Sequence, residues 1–165
     1  MRFHGEKVKS YEDKLHEMLF CAVKAHNKDA VRFLLDFAAE GFVLWQHPVD
    51  SSTMLHVACF REGGQESEEI ARLLIEAGGS QLVSMRTTKG HTALHRAVSM
   101  QNVAMVQMLV DAGGSDLVKM RANDGSTALH HATRKPSVAI VQILTDAGGL
   151  ELVEMQTNRG ATALH

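Results

Sequence analysis

The chain has 165 residues, of which 45% are hydrophobic, with a formal net charge of −2 at pH 7 and a pI near 6.5. This length is enough for a hydrophobic core, and the charge provides no strong attraction to nucleic acid or acidic membranes. No stretch approaches the ~18 consecutive apolar residues of a membrane span, and the charged N-terminal segment contains no secretory signal. We therefore expect an intracellular protein, in the cytoplasm or nucleus, with Cys21 and Cys59 as free thiols.

One tetrapeptide divides the chain into units of equal length. Thr-Ala-Leu-His begins at Thr92, Thr127 and Thr162, 35 residues apart each time, and the variant Thr-Met-Leu-His begins at Thr53. An Ala three residues after the Leu, an Ala-Gly-Gly sequence and a Gly two residues before the Thr recur with it. A constant period of roughly 20–50 residues predicts a repeat array, in which each unit buries its apolar face against its neighbours.

In chain order, the pattern predicts a leader, four units and a partial fifth. The leader, residues 1–10, is polar and basic and is expected to fray. A single domain over 11–165 then contains units at about 11–48, 49–87, 88–122, 123–157 and 158–165. Because the last unit stops inside its motif, we expect either that the parent protein continues or that the last residues fray. The outer face of the fourth unit, including Val141 and Leu144, would then lack complete cover.

The first unit departs from the pattern of the later ones. Leu19 and Ala22 occupy the Leu and Ala positions, and a second helix follows around Val31. Glu17 replaces the Thr of the motif, and Phe20 replaces the His. A degenerate first unit is what a terminal capping repeat predicts.

The motif predicts the start of the first helix in each unit. Thr92 suits the N-cap position because its hydroxyl can accept a hydrogen bond from the N–H of His95. His95 stands where a capping box places Glu or Gln, so its ring can reach back to the cap. Successive motif histidines would lie about one helix diameter apart, ~10 Å, too far to share a metal ion. We therefore assign a structural role to His56, His95, His130 and His165.

The second helix of the third unit is predicted to run roughly over residues 103–112. Gly113, like Gly148 one unit later, suits the left-handed position that ends a helix. The connector that follows contains Leu117, Val118 and Met120, which we expect to form a short turn packed on the core. A tight turn marked by a polar-Gly pair then leads to the next unit.

With these elements assembled, the chain resembles the ankyrin-repeat family, whose signature is Thr-Pro-Leu-His-x-Ala in units of about 33 residues. The resemblance covers about residues 11–165. Here Ala or Met replaces the Pro, each full unit is about two residues longer, and the second unit has an insertion around 62–65. The resemblance implies an all-α solenoid of helix-turn-helix units with protruding β-hairpin-like turns, and a binding surface on its concave face.

In that family the partner contacts come from the hairpin tips and from the exposed inner edge of the first helices. Transferred position by position, the resemblance predicts these contact residues: Asp50, Ser52, Phe60, Arg61, Thr88, Lys89, His91, Ser99, Met100, Asn123, Asp124, Ser126, Arg134, Lys135, Asn158 and Arg159. Basic residues outnumber acidic ones in this set. We therefore expect a protein partner with acidic character around an apolar anchor near Phe60 and Met100.

The sequence contains no nucleophile–base pattern, no phosphate-binding glycine loop and no paired-cysteine metal motif. We therefore expect no catalysis, cofactor or metal. The leading hypothesis is a monomeric, non-catalytic scaffold that binds another protein, and neither nucleic acid nor a membrane. One alternative is a substrate-targeting or autoinhibitory module of a larger enzyme or signalling protein that extends beyond residue 165. Another is a histidine-based metal binder.

Overall fold

The structure, a computed structural model, describes residues 11–38, 41–60, 64–134 and 137–163. The predicted leader, Arg61, Lys135 and the motif histidine His165 lie outside these residues. The described elements are α1 (Tyr11–Lys24), α2 (Lys28–Asp36), a 3-10 turn (Phe42–Leu44), α3 (Met54–Ala58), α4 (Gln65–Ser84), α5 (Ala93–Ser99), α6 (Val103–Lys119), α7 (Ala128–Arg134) and α8 (Val138–Glu154). The predicted all-α repeat architecture is confirmed.

Each full unit consists of a short first helix that begins at the motif and a longer second helix. The first helices α3, α5 and α7 pack side by side, and the second helices α4, α6 and α8 form a parallel layer behind them. Leu94 of α5 and Leu109 of α6 are fully buried between the layers. One hydrophobic core therefore runs through successive units, as the repeat pattern predicts. Among the described helices, none combines the length and apolar character that crossing a membrane requires.

The long second helices are each interrupted at the second glycine of the Gly-Gly pair. These glycines have positive φ: Gly79 (57°), Gly114 (60°) and Gly149 (65°). With ψ near −160° this conformation is essentially restricted to glycine. The prediction that Gly113 and Gly148 take the left-handed position was therefore wrong. They stay helical, and a Cβ on either would lie within 2.6 Å of the side chain of the leucine four residues on.

After the break, the chain continues as another helical turn. The second helix of the third unit runs from Val103 to the break at Gly114, close to the predicted end at residue 112, and a further helical segment reaches Lys119. Leu117 and Val118 are buried there, at 2% and 0% exposure. The prediction that this connector packs on the core is confirmed, but its conformation is a helix and not a short turn.

The predictions for the first unit are confirmed, whereas those for the fourth unit are confirmed only in part. In the first unit, Leu19 and Val31 are fully buried, as predicted. In the fourth unit, the prediction that Leu144 lacks cover was wrong, because its own unit and the preceding one bury it completely. Val141 is only half-buried, whereas Val106, its equivalent one unit earlier, is fully buried. Of the two residues predicted to lack cover, only Val141 is therefore partly open to solvent.

Candidate protein-interaction surface

The hairpin-like turns between units are joined to one another through their backbones. The N–H groups of Thr88, Asn123 and Asn158 each donate to a carbonyl in the turn before, those of Asp50 (2.9 Å), Lys89 (3.1 Å) and Asp124 (3.0 Å). The side-chain amides of Asn123 and Asn158 add a second contact, to the carbonyls of Thr88 (2.8 Å) and Asn123 (2.9 Å). The turns therefore form a continuous ladder, which places their exposed side chains at regular intervals.

Two arginines brace this ladder from the side. Arg86 donates from Nε to the carbonyl of Gly90 (3.1 Å) and from Nη2 to that of Arg121 (2.7 Å). Arg121 repeats the arrangement one unit later, with Gly125 (3.2 Å) and Gln156 (2.7 Å). Both guanidinium groups are therefore engaged inside the array, and their role is to hold neighbouring turns together.

A hydrogen-bonded Asp-x-Ser sequence shapes two of the turns. Asp124 accepts at Oδ1 from the backbone N–H (2.9 Å) and the hydroxyl (2.6 Å) of Ser126, and Asp50 accepts from Ser52 in the same way. The hydrogen bonds from Ser126 hold the pKa of Asp124 below its ordinary value. Ser52 and Ser126 are only 7% and 5% exposed. Both serines are therefore internal parts of their turns, and their role as contact residues stays a prediction.

The predicted capping box of the motif is confirmed. The N–H of Thr92 donates to Nδ1 of His95 (3.2 Å), and the Thr92 hydroxyl lies 2.9 Å from the same nitrogen. Nε2 of His95 contacts the carbonyl of Ser126 in the next turn (3.4 Å). Because a carbonyl can only accept a hydrogen bond, Nε2 carries the proton. Nδ1 accepts from the N–H of Thr92 and so carries none, which makes the ring neutral.

The motif histidines of the other described units also contact a carbonyl of the next turn. The sequence did not reveal these bridging contacts. Nε2 of His56 lies 3.0 Å from the carbonyl of His91, and that of His130 lies 3.1 Å from the carbonyl of Ala161. Burial lowers the pKa of His56 to about 4. Burial, together with the nearby His131 and His91, lowers the pKa of His95 to about 3. His56 and His95 therefore stay uncharged at neutral pH, and each of the three described motif histidines joins its unit to the next.

The remaining predicted residues lie at the surface. At equivalent positions at the ends of the first helices, Phe60, Ser99 and Arg134 are all exposed, and Met100 is half-buried. In the turns, Asp50 and His91 are half-buried. The exposed turn residues are Thr88, Lys89, Asn123, Asp124, Asn158 and Arg159.

A groove of about 1050 Å³ shows that turns and first helices share one surface. Its walls include the predicted turn residues Asp124, Asn158 and Arg159 and the predicted helix residue Arg134. His131, which the sequence reasoning did not select, also lines it. The structure therefore brings the two predicted groups of residues together at the fourth unit.

The sequence reasoning missed the position directly after the motif histidine. This position is Val57, Arg96 and His131 in the second, third and fourth units. The guanidinium of Arg96 lies over the ring of Phe60, with Cζ 4.9 Å from the ring centre. The signal was present in the sequence, because the residue changes from unit to unit while the motif around it stays constant.

Three imidazole rings cluster beside this position, and their geometry argues against a metal centre. The centres of His91, His95 and His131 are 5.3 to 5.5 Å apart. Both nitrogens of His95 are engaged as described, and those of His131 lie 3.3 Å from the hydroxyls of Ser99 and Ser126. Within the described ranges, no three His, Cys, Asp or Glu residues are placed to hold a metal ion.

The stacked helix pairs, the ladder of turns and the bridging histidines define a helical repeat protein. A family profile described as ankyrin repeats (3 copies) matches residues 19–121, more than half of the chain. The chain belongs to the ankyrin-repeat family. Ankyrin repeats are generally protein–protein interaction modules and are typically not enzymes. A search of curated proteins finds no match for this chain.

Proposed function

We propose that this chain is a non-catalytic scaffold that binds another protein on the concave surface formed by the turns and the first helices. The observation that carries this proposal is the groove in which residues of both groups meet on a rigid framework. The framework repeats from unit to unit, whereas the exposed side chains on it differ. Such a surface can be adapted to one partner without altering the fold.

The available charges on this surface favour an acidic partner. Lys89, Arg134 and Arg159 are exposed. The acidic residues Asp50 and Asp124 already accept hydrogen bonds from the serines of their own turns. Phe60, 55% exposed, and Met100 supply apolar surface between these charges. The proposed partner is therefore a protein segment that combines acidic and apolar side chains, bound by a single copy of this chain in the cytoplasm or nucleus.

A second candidate is that the chain is the targeting or autoinhibitory module of a larger enzyme or signalling protein. The edge of the fourth unit favours this reading. Val138 is 82% exposed, whereas Val103, its equivalent in the third unit, is 38% exposed. A further unit or domain stacked on α8 would cover Val138 and Val141 as α8 covers the third unit.

Affinity capture from a cell extract tests the concave surface. We expect the wild-type chain to retain a protein that a Met100→Ala, Arg134→Glu double variant does not retain. An Arg72→Glu, Gln107→Ala variant is the matched control, since both residues are exposed on the second helices. This control should retain the same protein as wild type. Equal capture by all three chains would contradict the proposal.

A further inference from the structure

Arg96 is a cation without a matched acceptor. It follows His95 on α5 and is half-buried. Its Nε is buried and has no hydrogen-bond partner. Within the part of the chain that the structure describes, its guanidinium forms no ion pair either. A guanidinium carries five N–H donors and keeps its charge, so burial without an acceptor is unfavourable.

The position of the Arg96 side chain is fixed by an aromatic ring from the neighbouring unit. Its Cζ lies 4.9 Å above the centre of the Phe60 ring, within the range of a cation–π interaction. This contact covers one face of the guanidinium plane and limits its rotation. A planar group held in this way loses little freedom when it binds a second planar group.

The groups around Arg96 provide no direct ion pair for it within the described residues. The charge of Arg96 acts on four nearby groups: His56 of α3, Cys59 directly after α3, His91 of the next turn and Asp50. Burial and the Arg96 charge lower the pKa of His91, so that imidazole stays neutral. Asp50 is the acid in this group, and its Oδ1 is occupied by the N–H (3.0 Å) and hydroxyl (2.7 Å) of Ser52.

We propose that Arg96 binds an Asp or Glu carboxylate of the protein partner, while an apolar side chain beside that acid contacts Phe60 and Met100. The two oxygens of a carboxylate match the parallel N–H groups of a guanidinium. A phosphate is disfavoured relative to a carboxylate because Asp50 would repel its larger negative charge more strongly. This inference rests on the proposed function and adds the anchoring residue and the chemical group that it recognises.

A displayed library of random peptides tests the inference without a known partner. The library is selected on the wild-type chain, and the affinity of each selected peptide is then measured on wild type, Arg96→Gln and Arg72→Gln. We expect the peptides to contain Asp or Glu next to an apolar residue. Their affinity should fall about tenfold or more on Arg96→Gln, the range of a charge-assisted contact, and stay unchanged on Arg72→Gln.

A double-mutant cycle tests whether Arg96 directly contacts the acidic residue of the peptide. Exchange of the peptide's Glu for Gln should weaken binding to wild type by a similar factor, and should have little further effect on Arg96→Gln. Arg96→Lys keeps the charge but not the paired donors, so we expect an intermediate affinity. If Arg96→Gln lowers the stability of the fold, the exchange on the peptide side still tests the contact with the wild-type chain.

The outcomes separate this inference from the proposed function. Peptides that lack acids, or that bind Arg96→Gln as tightly as wild type, would overturn the role of Arg96. The concave surface would still stand if Met100→Ala, Arg134→Glu weakened the same peptides. A library that yields no binding peptide, or only peptides insensitive to both sets of variants, would count against the concave surface and against this inference together.

Discussion

The first unit and the junction between the third and fourth units are held together by different chemistry. At this junction, His95 and Arg121 form directional hydrogen bonds to backbone carbonyls of the fourth unit, those of Ser126 and Gln156. Within the first unit, aromatic rings stack instead: His16 lies 4.2 Å from the ring of Phe42 and 5.3 Å from that of Trp45. Phe20, in the position of the motif histidine, contacts the ring of His47 at 5.4 Å. The helices can therefore be held together by aromatic stacking or by hydrogen bonds, whereas the ladder of turns occurs together with the hydrogen bonds.

The apolar core should contribute equally to the stability of the first and the third unit. Leu19 and Leu94 occupy equivalent positions and are both fully buried. We expect Leu19→Ala and Leu94→Ala each to lower the free energy of unfolding by about 2–5 kcal/mol, measured by urea denaturation. Leu150→Ala, at a residue that is 81% exposed, should change it by no more than about 0.5 kcal/mol. A small loss for Leu19→Ala alone would show that the first unit is not part of the same cooperative core.

The stability of the chain should depend on pH through the buried imidazoles of His56 and His95. In the folded chain the pKa of His56 is about 4 and that of His95 is about 3, against about 6.5 in an unfolded chain. Between these values the unfolded chain binds more protons, so the free energy of unfolding falls as the pH decreases. We expect a loss of up to about 1.4 kcal/mol per pH unit for each histidine below about pH 6.5, and no contribution from them above it.

Urea denaturation at a series of pH values from neutral to mildly acidic checks this dependence. A His95→Phe variant should show a shallower loss than wild type, because one of the two histidines no longer titrates. Identical slopes for the two chains would contradict the assignment of a neutral, bridging His95.

The same substitution, His→Phe, can be made both in the first unit and at the junction between the third and fourth units. His95→Phe leaves the buried N–H of Thr92 without its acceptor and removes the contact with Ser126, so we expect a loss of about 1–3 kcal/mol. His16→Phe keeps the aromatic stacking and removes a buried, unpaired Nδ1, although it also loses the 3.2 Å contact with the carbonyl of Phe42. We expect a change within about 1 kcal/mol. Thermal unfolding of both variants measures the difference, and equal losses would show that the two regions are not chemically distinct.

The sequence predicted those features that depend on local spacing. Thr92 and His95 are three residues apart, so their capping box follows from the helix geometry alone, and the 35-residue period predicts the stacking of the units. The sequence could not identify which glycine of a pair breaks the helix. Gly113 and Gly114 look alike until the position of Leu117 shows that the first lacks space for a Cβ.

The composition of the candidate surface was less predictable because it depends on contacts between units. Ser126 looked like an exposed turn residue, but its hydroxyl is turned back toward Asp124. The contact of Arg96 with Phe60 could not be predicted, because the ring comes from the preceding unit. The predicted residues that remain exposed on the turns and first helices stay a prediction of the contact surface.

The most direct test of the concave surface is the mapping of backbone amide chemical shifts in the ¹⁵N-labelled chain as a selected acidic peptide is added. We expect little change on the outer sides of α4 and α6 and the largest shifts along the inner surface, at Phe60, Arg96, Ser99, Met100 and Arg134. Shifts concentrated on those second helices, with the amide of Arg96 unaffected, would contradict this expectation.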